Sequence, residues 1–168
     1  FLLGCGQIMR EEIRGRNKNN LVVHESELPK GKGWSPLTWQ ILEGKNIIPV
    51  TLLEVEENVD SGKIYLQDKI VFTGSELIEE MRFEQADYTF KLCEKFIQEY
   101  PAILSRGKFQ EGTATYYKRR TMVNSKLDVN KSIAEQFNLL RVVDNARYPA
   151  FFEMNGTAYK LKIEKLID

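Results

Sequence analysis

One histidine is present in 168 residues, His24, and it closes the apolar run Leu21-Val22-Val23. That run reads as a buried strand, and in open α/β sheets ligands bind at the carboxyl ends of strands. The loop that follows, Glu25-Ser26-Glu27-Leu28-Pro29-Lys30-Gly31-Lys32-Gly33, is rich in Pro, Gly and Lys. A later strand pair is joined by Glu56-Glu57-Asn58-Val59-Asp60-Ser61-Gly62, which predicts a carboxylate at an equivalent sheet edge. A His–Asp pair at such a cleft is a general acid/base unit, because the carboxylate orients the imidazole and supports its charged form. Each half also has a plainer reading. His24 can be a structural strand residue, and Asp60 can cap its own turn through the side chain. Metal chemistry is not expected from one histidine and two scattered cysteines, Cys5 and Cys93. Two cysteines are also too few for a disulfide framework, which fits a reducing cytoplasm.

The elements that must position the pair follow from periodicity and punctuation. A short amphipathic helix is predicted over 8–16, closed by Gly15, and a second over 34–43, with Pro36 in its first turn and Gly44 beyond its end. Strands are predicted over 47–55 and 64–72. The longest helix is predicted over 75–100, with capping-box spacing at Thr73 and Glu76 and a stop at Pro101. Leu77, Met81, Tyr88, Leu92 and Phe96 make one apolar stripe along it, read as core. Ser132 and Glu135 open a further helix to about residue 143, with Ile133, Phe137 and Leu140 inward. Asn155-Gly156 between two short strands is a hairpin signal, and such a hairpin needs a partner surface. A homodimer through that region is one way to supply it.

The opening Phe1-Leu2-Leu3-Gly4-Cys5-Gly6 reads as the end of a buried strand, and no initiator methionine or signal peptide precedes it. We therefore expect the chain to start inside a domain. The chain is 42% hydrophobic and 29% charged, with 24 basic and 24 acidic residues. This excludes wholesale disorder and argues against coating nucleic acid through bulk positive charge. No apolar run reaches the roughly 18 residues of a membrane span, so a soluble, cytoplasmic protein with no membrane partner is expected.

Two motifs carry a family resemblance. The segment His24-Glu25-Ser26-Glu27-Leu28-Pro29, continuing to Gly33-Trp34-Ser35-Pro36, resembles the His-x-Ser-x-Leu-Pro…Gly-x-x-Pro signature of the formyltransferases that use 10-formyltetrahydrofolate. Thr51 sits where that family has the threonine of a Gly-Val-Thr strand, and Val59-Asp60-Ser61-Gly62-Lys63-Ile64 is similar to its Asp-Thr-Gly-x-Ile segment. The tail, with Tyr117-Lys118-Arg119-Arg120, Asn138-Leu139-Leu140-Arg141 and Tyr148-Pro149-Ala150-Phe151, resembles the C-terminal extension of sugar and methionyl-tRNA formyltransferases.

The resemblance implies the C-terminal half of a doubly wound (Rossmann-like) α/β catalytic domain over 1–112, followed by a small α+β tail over 113–168. It implies His24 and Asp60 as catalytic residues and 10-formyltetrahydrofolate as co-substrate. Backbone around Leu3, Gly4 and Gly6, within 3–8, and around Val55, Glu57 and Asn58 would flank the pterin; the side chains of Leu2, Leu3 and Val55 are expected in the core. The family's Asn two residues before the histidine is Val22 here, which donates no hydrogen bond, and Asn20 lies too far back along an extended strand. Its role falls to protonated His24, a backbone N–H or a water, or transfer is slow or absent.

For the acceptor we expect a primary amine on a nucleotide-linked amino sugar rather than tRNA. The tail is short, and from residue 113 it has ten basic residues against six acidic ones, which suits a pyrophosphate better than a long polyanion. Lys30, Lys32, Arg119 and Arg120 are candidate phosphate contacts. Trp34 and Tyr117 are candidates to stack on a base or sugar, and Ser26 to hold the loop or a water. A different folate-dependent formyltransferase, or a catalytically impaired folate or nucleotide binder, are the alternatives.

Overall fold

The computed structural model describes residues 1–4, 6–7 and 9–166; Cys5 and Ile8 lie outside it, as do the last two residues. The strand richest in aliphatic residues is central. β3 (Ile47–Glu54) buries Ile48, Val50, Leu52 and Leu53 completely, the near-continuous burial of a strand covered on both faces. It pairs antiparallel with β1 (Leu21–His24) on one side and β4 (Ile64–Val71) on the other. β1 also meets Leu2 through a parallel bridge at Val22, with the Leu2 N–H donating to the Leu21 carbonyl at 2.7 Å. The mixed α/β architecture is as expected, parallel at that bridge and antiparallel across the other three strands. The opening residues differ from the buried strand end expected of them. Phe1 and Leu3 are half exposed; among the described residues Leu2 gives them one neighbouring strand, and Phe1 alone packs its ring edge-on against Phe96 of the long helix, at 6.1 Å.

α3 (Ile78–Glu99) packs against β3 and β4 and supplies Met81, Leu92 and Phe96 to the main core, with Tyr88 partly buried. It starts three residues later than its spacing predicts. Thr73 and Glu76 do bond, the Thr73 N–H donating to Glu76 Oε1 at 2.7 Å, but they close a preceding turn. The helix is opened by Glu80, whose Oε2 accepts the Leu77 N–H at 2.8 Å. α2 (Pro36–Leu42) adds Leu37 and Ile41 to the same core. The first predicted helix is one turn, α1 (Glu11–Arg14), and buries nothing; position 8 of that prediction lies outside the described residues.

The tail returns beneath the loop after β1. β5 (Tyr116–Tyr117) pairs in parallel with β2 (Lys32–Gly33). A 3₁₀ turn, Ala134–Gln136, leads into α4 (Phe137–Arg141), and β6 (Ala150–Met154) and β7 (Thr157–Leu161) form the predicted hairpin. Asn155 and Gly156 both take positive φ, at 51° and 75°, as a primed hairpin turn requires. Leu140, Val143 and Ala150 make a second core with Phe137, Leu161 and Ile163, which covers one face of the hairpin. The Ser132–Glu135 box is formed, but Ile133 lies outward and exposed rather than inward, because the turn it closes is 3₁₀ and rotates that position away from α4's buried side. Among the described residues no helix is long and apolar enough to cross a membrane.

Candidate active site

His24 ends β1 opposite Thr51 and is buried. Thr51 holds the chain as it leaves the strand, its Oγ1 donating to the Ser26 carbonyl at 2.8 Å and accepting from Gln67 Nε2 at 3.2 Å. The imidazole Nε2 stands 2.8 Å from the Gly31 carbonyl. A carbonyl only accepts, so Nε2 carries the proton and the neutral ring keeps its lone pair on Nδ1. Nδ1 faces Asp60 Oδ2 at 3.6 Å. The ring is thus arranged to take a proton at Nδ1 beside a carboxylate that stabilises the resulting imidazolium.

Asp60 reaches this point by a route that differs from the one its sequence position predicts. β3 runs antiparallel to β1, with Leu21 opposite Glu54 and His24 opposite Thr51, so β3 ends beside the start of β1. The carboxyl ends of the two strands lie at opposite edges. The loop after Glu54 instead folds back about three residues along β1, roughly 10 Å at strand rise. Two constraints hold it there. Gln110 Nε2 donates to the carbonyls of Asp60 and Gly62, at 2.8 and 2.9 Å. Gly62 lies so close to β3 that a Cβ on it would stand 1.9 Å from the Glu54 carbonyl. Asp60 itself sits at φ 50°, and its Oδ2 accepts the Gly33 N–H at 2.9 Å. Gly33 has φ 96°, and a Cβ there would stand 2.6 Å from the Tyr117 carbonyl, so only glycine lets this N–H point at Asp60.

The pair opens on a cavity of about 420 Å³. Leu3, Gly4, Gly6, Val55 and Trp34 line it together with His24 and Asp60. Leu2, Leu3 and Val55, expected as core, are part of its wall and none is fully buried, because β1 is flanked there by a single bridge. Val22 is also a wall residue, whereas Asn20 donates its Nδ2 to the Arg14 carbonyl at 2.9 Å and stays out of the cavity. The other candidates lie elsewhere. Glu57 and Asn58 are exposed beyond the rim. Ser26 is buried, its hydroxyl without a hydrogen-bond partner among the described residues. Lys32 is buried in β2 and Lys30 is exposed in a turn, and neither faces the cavity. Tyr117, considered for stacking on a ligand, has its ring against Trp39 at 6.2 Å and its hydroxyl donating to Glu43 Oε1 at 2.8 Å. Arg119 is exposed and lies over the Trp34 ring at 4.9 Å.

Glu25, which sequence reasoning passed over, is a further carboxylate on the cavity wall and, unlike the partly buried Asp60, a buried one. Its Oε1 accepts from Gln85 Nε2 at 2.7 Å, and its carbonyl accepts from Gln40 Nε2 at 2.6 Å. Burial raises its pKa, and the nearby His24 and the Gln85 hydrogen bond only partly offset this. A glutamate beside the only histidine was the available signal. Gln110 carried none, being fifty residues from the loop it pins.

Residues 1–91 match the sequence model of a family described as formyl transferase. The chain belongs to that family. Methionyl-tRNA formyltransferase of Mycoplasma capricolum is 25% identical over all of this chain and 54% of its own length, so the chain spans about half the length of the curated relatives it matches. Among solved structures, a 4-N formyltransferase from Francisella tularensis superposes with TM-score 0.73 at 19% identity, covering 96% of this chain and 69% of that one. HypX from Aquifex aeolicus, solved in complex with tetrahydrofolic acid, gives TM-score 0.71 at 16% identity over 95% of this chain and 28% of its own. Within the formyl transferase family, the His24 and Asp60 motifs both fall in the matched segment.

Proposed function

We propose that this chain carries the catalytic cleft of a formyltransferase that moves a formyl group from 10-formyltetrahydrofolate to a primary amine on a small nucleotide-linked amino sugar. The observation that carries this reading is the open Nδ1 of His24, backed by Asp60, inside a cavity of ligand size. The cavity suits the donor. Its wall offers an apolar patch from Leu2, Leu3 and Val55 for a flat ring, and carboxylates, Glu25 and Asp60, of the kind that accept from ring N–H groups. When bound, the donor supplies an activated formyl group.

This chain's residues then handle the proton. His24 Nδ1 takes it from the attacking amine as the new C–N bond forms, and the imidazolium is held between Asp60 and the Gly31 carbonyl. Nδ1–H is then positioned to support the negative oxygen at the reacting carbon, where Val22 supplies nothing, and to return the proton to the departing nitrogen.

The small acceptor is favoured by what the tail's charges already do. Of its ten basic residues, Lys126, Arg141, Arg147 and Lys165 each pair with a carboxylate. The other six form no ion pair among the described residues, a modest charge that suits a short diphosphate better than a long polyanion. The relatives named as methionyl-tRNA formyltransferases support the second reading, a tRNA acceptor. Release of tetrahydrofolate, measured with nucleotide-linked amino sugars and with methionyl-tRNA in parallel, tests the choice. Turnover with the sugars alone is expected; turnover with methionyl-tRNA alone overturns the small acceptor.

A further inference from the structure

A second cavity, of about 270 Å³, opens beside the first and shares Trp34 and Ser35 with it. The two differ sharply in charge. The first has the acidic Glu25, Glu54, Glu56 and Asp60 on its wall, whereas the second is lined by Arg82, Arg119, Arg120 and Arg147 with Asp144 as its one carboxylate. Four guanidinium groups stand against Asp144 in the lining and against Glu79, which pairs with Arg82 from outside the cavity, leaving a formal excess of two positive charges in a small space. Like charges at this density repel unless an anion lies among them.

The arrangement is built rather than incidental. Asp144 Oδ2 accepts from Arg82 at 2.9 Å and from Arg147 Nε at 2.8 Å, and its Oδ1 accepts the backbone N–H groups of Ala146 and Arg147. Burial pushes the Asp144 carboxyl up, but these hydrogen bonds outweigh it and hold the group well below the usual carboxylate range. It stays ionised and saturated, so it orients two arginines without presenting a free lone pair to a ligand. Arg120 is fixed by the neutral carbonyls of Val142 and Asn124, at 3.2 and 3.3 Å, and its buried Nε has no hydrogen-bond partner among the described residues. Arg119 stacks on Trp34 and pairs with no carboxylate among the described residues.

We propose that the cavity among Trp34, Arg82, Arg119, Arg120 and Arg147 is an anion subsite that takes the diphosphate of the acceptor. The inference rests on the small-acceptor reading and extends it, since two of these arginines and the Asp144 clamp are not predicted from sequence. Guanidinium forks match phosphate oxygens in pairs, and the cavity is smaller than the roughly 300–1,000 Å³ of pockets that enclose a whole ligand. Its place beside the catalytic cleft lets one molecule put its phosphates here and its amine at His24, passing Trp34 between them.

The test is calorimetric titration of the full chain at low salt with inorganic pyrophosphate, with UDP and with a short RNA acceptor-stem hairpin, beside 5-formyltetrahydrofolate as donor mimic. Arg119→Gln and Arg147→Gln are the variants; Arg119 is exposed, so its variant keeps the test usable if the other fails to fold. Pyrophosphate and UDP are expected to bind, each variant weakening them about tenfold or more, with donor-mimic affinity unchanged. No binding of either, or binding indifferent to both variants, overturns the subsite. RNA bound far more tightly than UDP, and equally lost in the variants, overturns the small diphosphate in favour of a nucleic-acid backbone. If the donor mimic fails to bind while UDP behaves as expected, the formyl-donor reading falls and the anion subsite stands.

Discussion

At the scale of single residues, the chemistry turns on which nitrogen of His24 is occupied. The Gly31 carbonyl accepts the Nε2 hydrogen bond, which leaves Nδ1 as the proposed base and Asp60 as the charge behind it. Asp60→Asn keeps an oxygen for the Gly33 N–H but removes that charge. Formyl transfer is expected to fall about a hundredfold or more, measured as tetrahydrofolate release. An undiminished rate would remove Asp60 from the proton-handling unit.

Glu25 makes the opposite kind of contribution. Its folded pKa is raised, chiefly by burial, so the folded state binds its proton more tightly than the unfolded chain does. The stability it contributes is fully present below the unfolded value near 4.5 and is lost as pH rises through the folded value. Glu25→Gln should therefore raise Tm at neutral pH and lose that advantage near pH 4, as thermal melts at the two pH values would show.

At the scale of elements, the loop between β3 and β4 is the device that brings the site together. It carries Asp60 back along β1 and is held by Gln110 and by the glycine at position 62. Gln110→Ala removes both side-chain hydrogen bonds to the loop. It should cost about 1–2 kcal/mol in denaturant unfolding and lower transfer through misplacement of Asp60, a fall in kcat larger than any rise in KM. The strands and the long helix were legible because their signals are local. β1, β3 and β4 are aliphatic runs bounded by turn residues, and Met81, Leu92 and Phe96 repeat at helical spacing. The two family motifs around His24 and Asp60 were legible for the same reason, as contiguous residues. Gln110 on the loop, Gln85 on Glu25 and Arg82 beside Arg119 were not, because each joins positions sixty, fifty or nearly forty residues apart, and only the packed fold brings them together. Ile133 shows the local limit: the capping signal was present, but a 3₁₀ turn changes which side faces in.

Across the whole molecule, one buried arginine is a central tie between the tail and the rest of the fold, beside the β2–β5 pairing and the Arg82–Asp144 ion pair. Arg141 is 1% exposed; its Nε donates to the Glu76 carbonyl at 3.0 Å, and its terminal nitrogens donate to Asn46, Asn138 and the Glu76 carboxylate. Removing one partner of such a network leaves the others buried and unpaired, so Arg141→Ala should cost about 3–5 kcal/mol and loosen the tail from the site. Burial acts to raise Glu76, but hydrogen bonds from Thr73 and Gly74 outweigh it and bring the pKa down to about 2. A depressed carboxylate stabilises above its unfolded pKa. That stability should fade as pH drops from about 4.5 towards about 2, which acid titration followed by circular dichroism would register.

The central claim is that the cleft beside His24 and Asp60 receives the formyl donor. Calorimetric titration of the chain with 5-formyltetrahydrofolate, repeated on Val55→Trp to fill the cavity, tests it most directly. The account predicts saturable binding at one site, weakened at least about tenfold in the variant. A folded wild-type chain that shows no saturable binding, or binds the mimic equally well with the cavity filled, would contradict it.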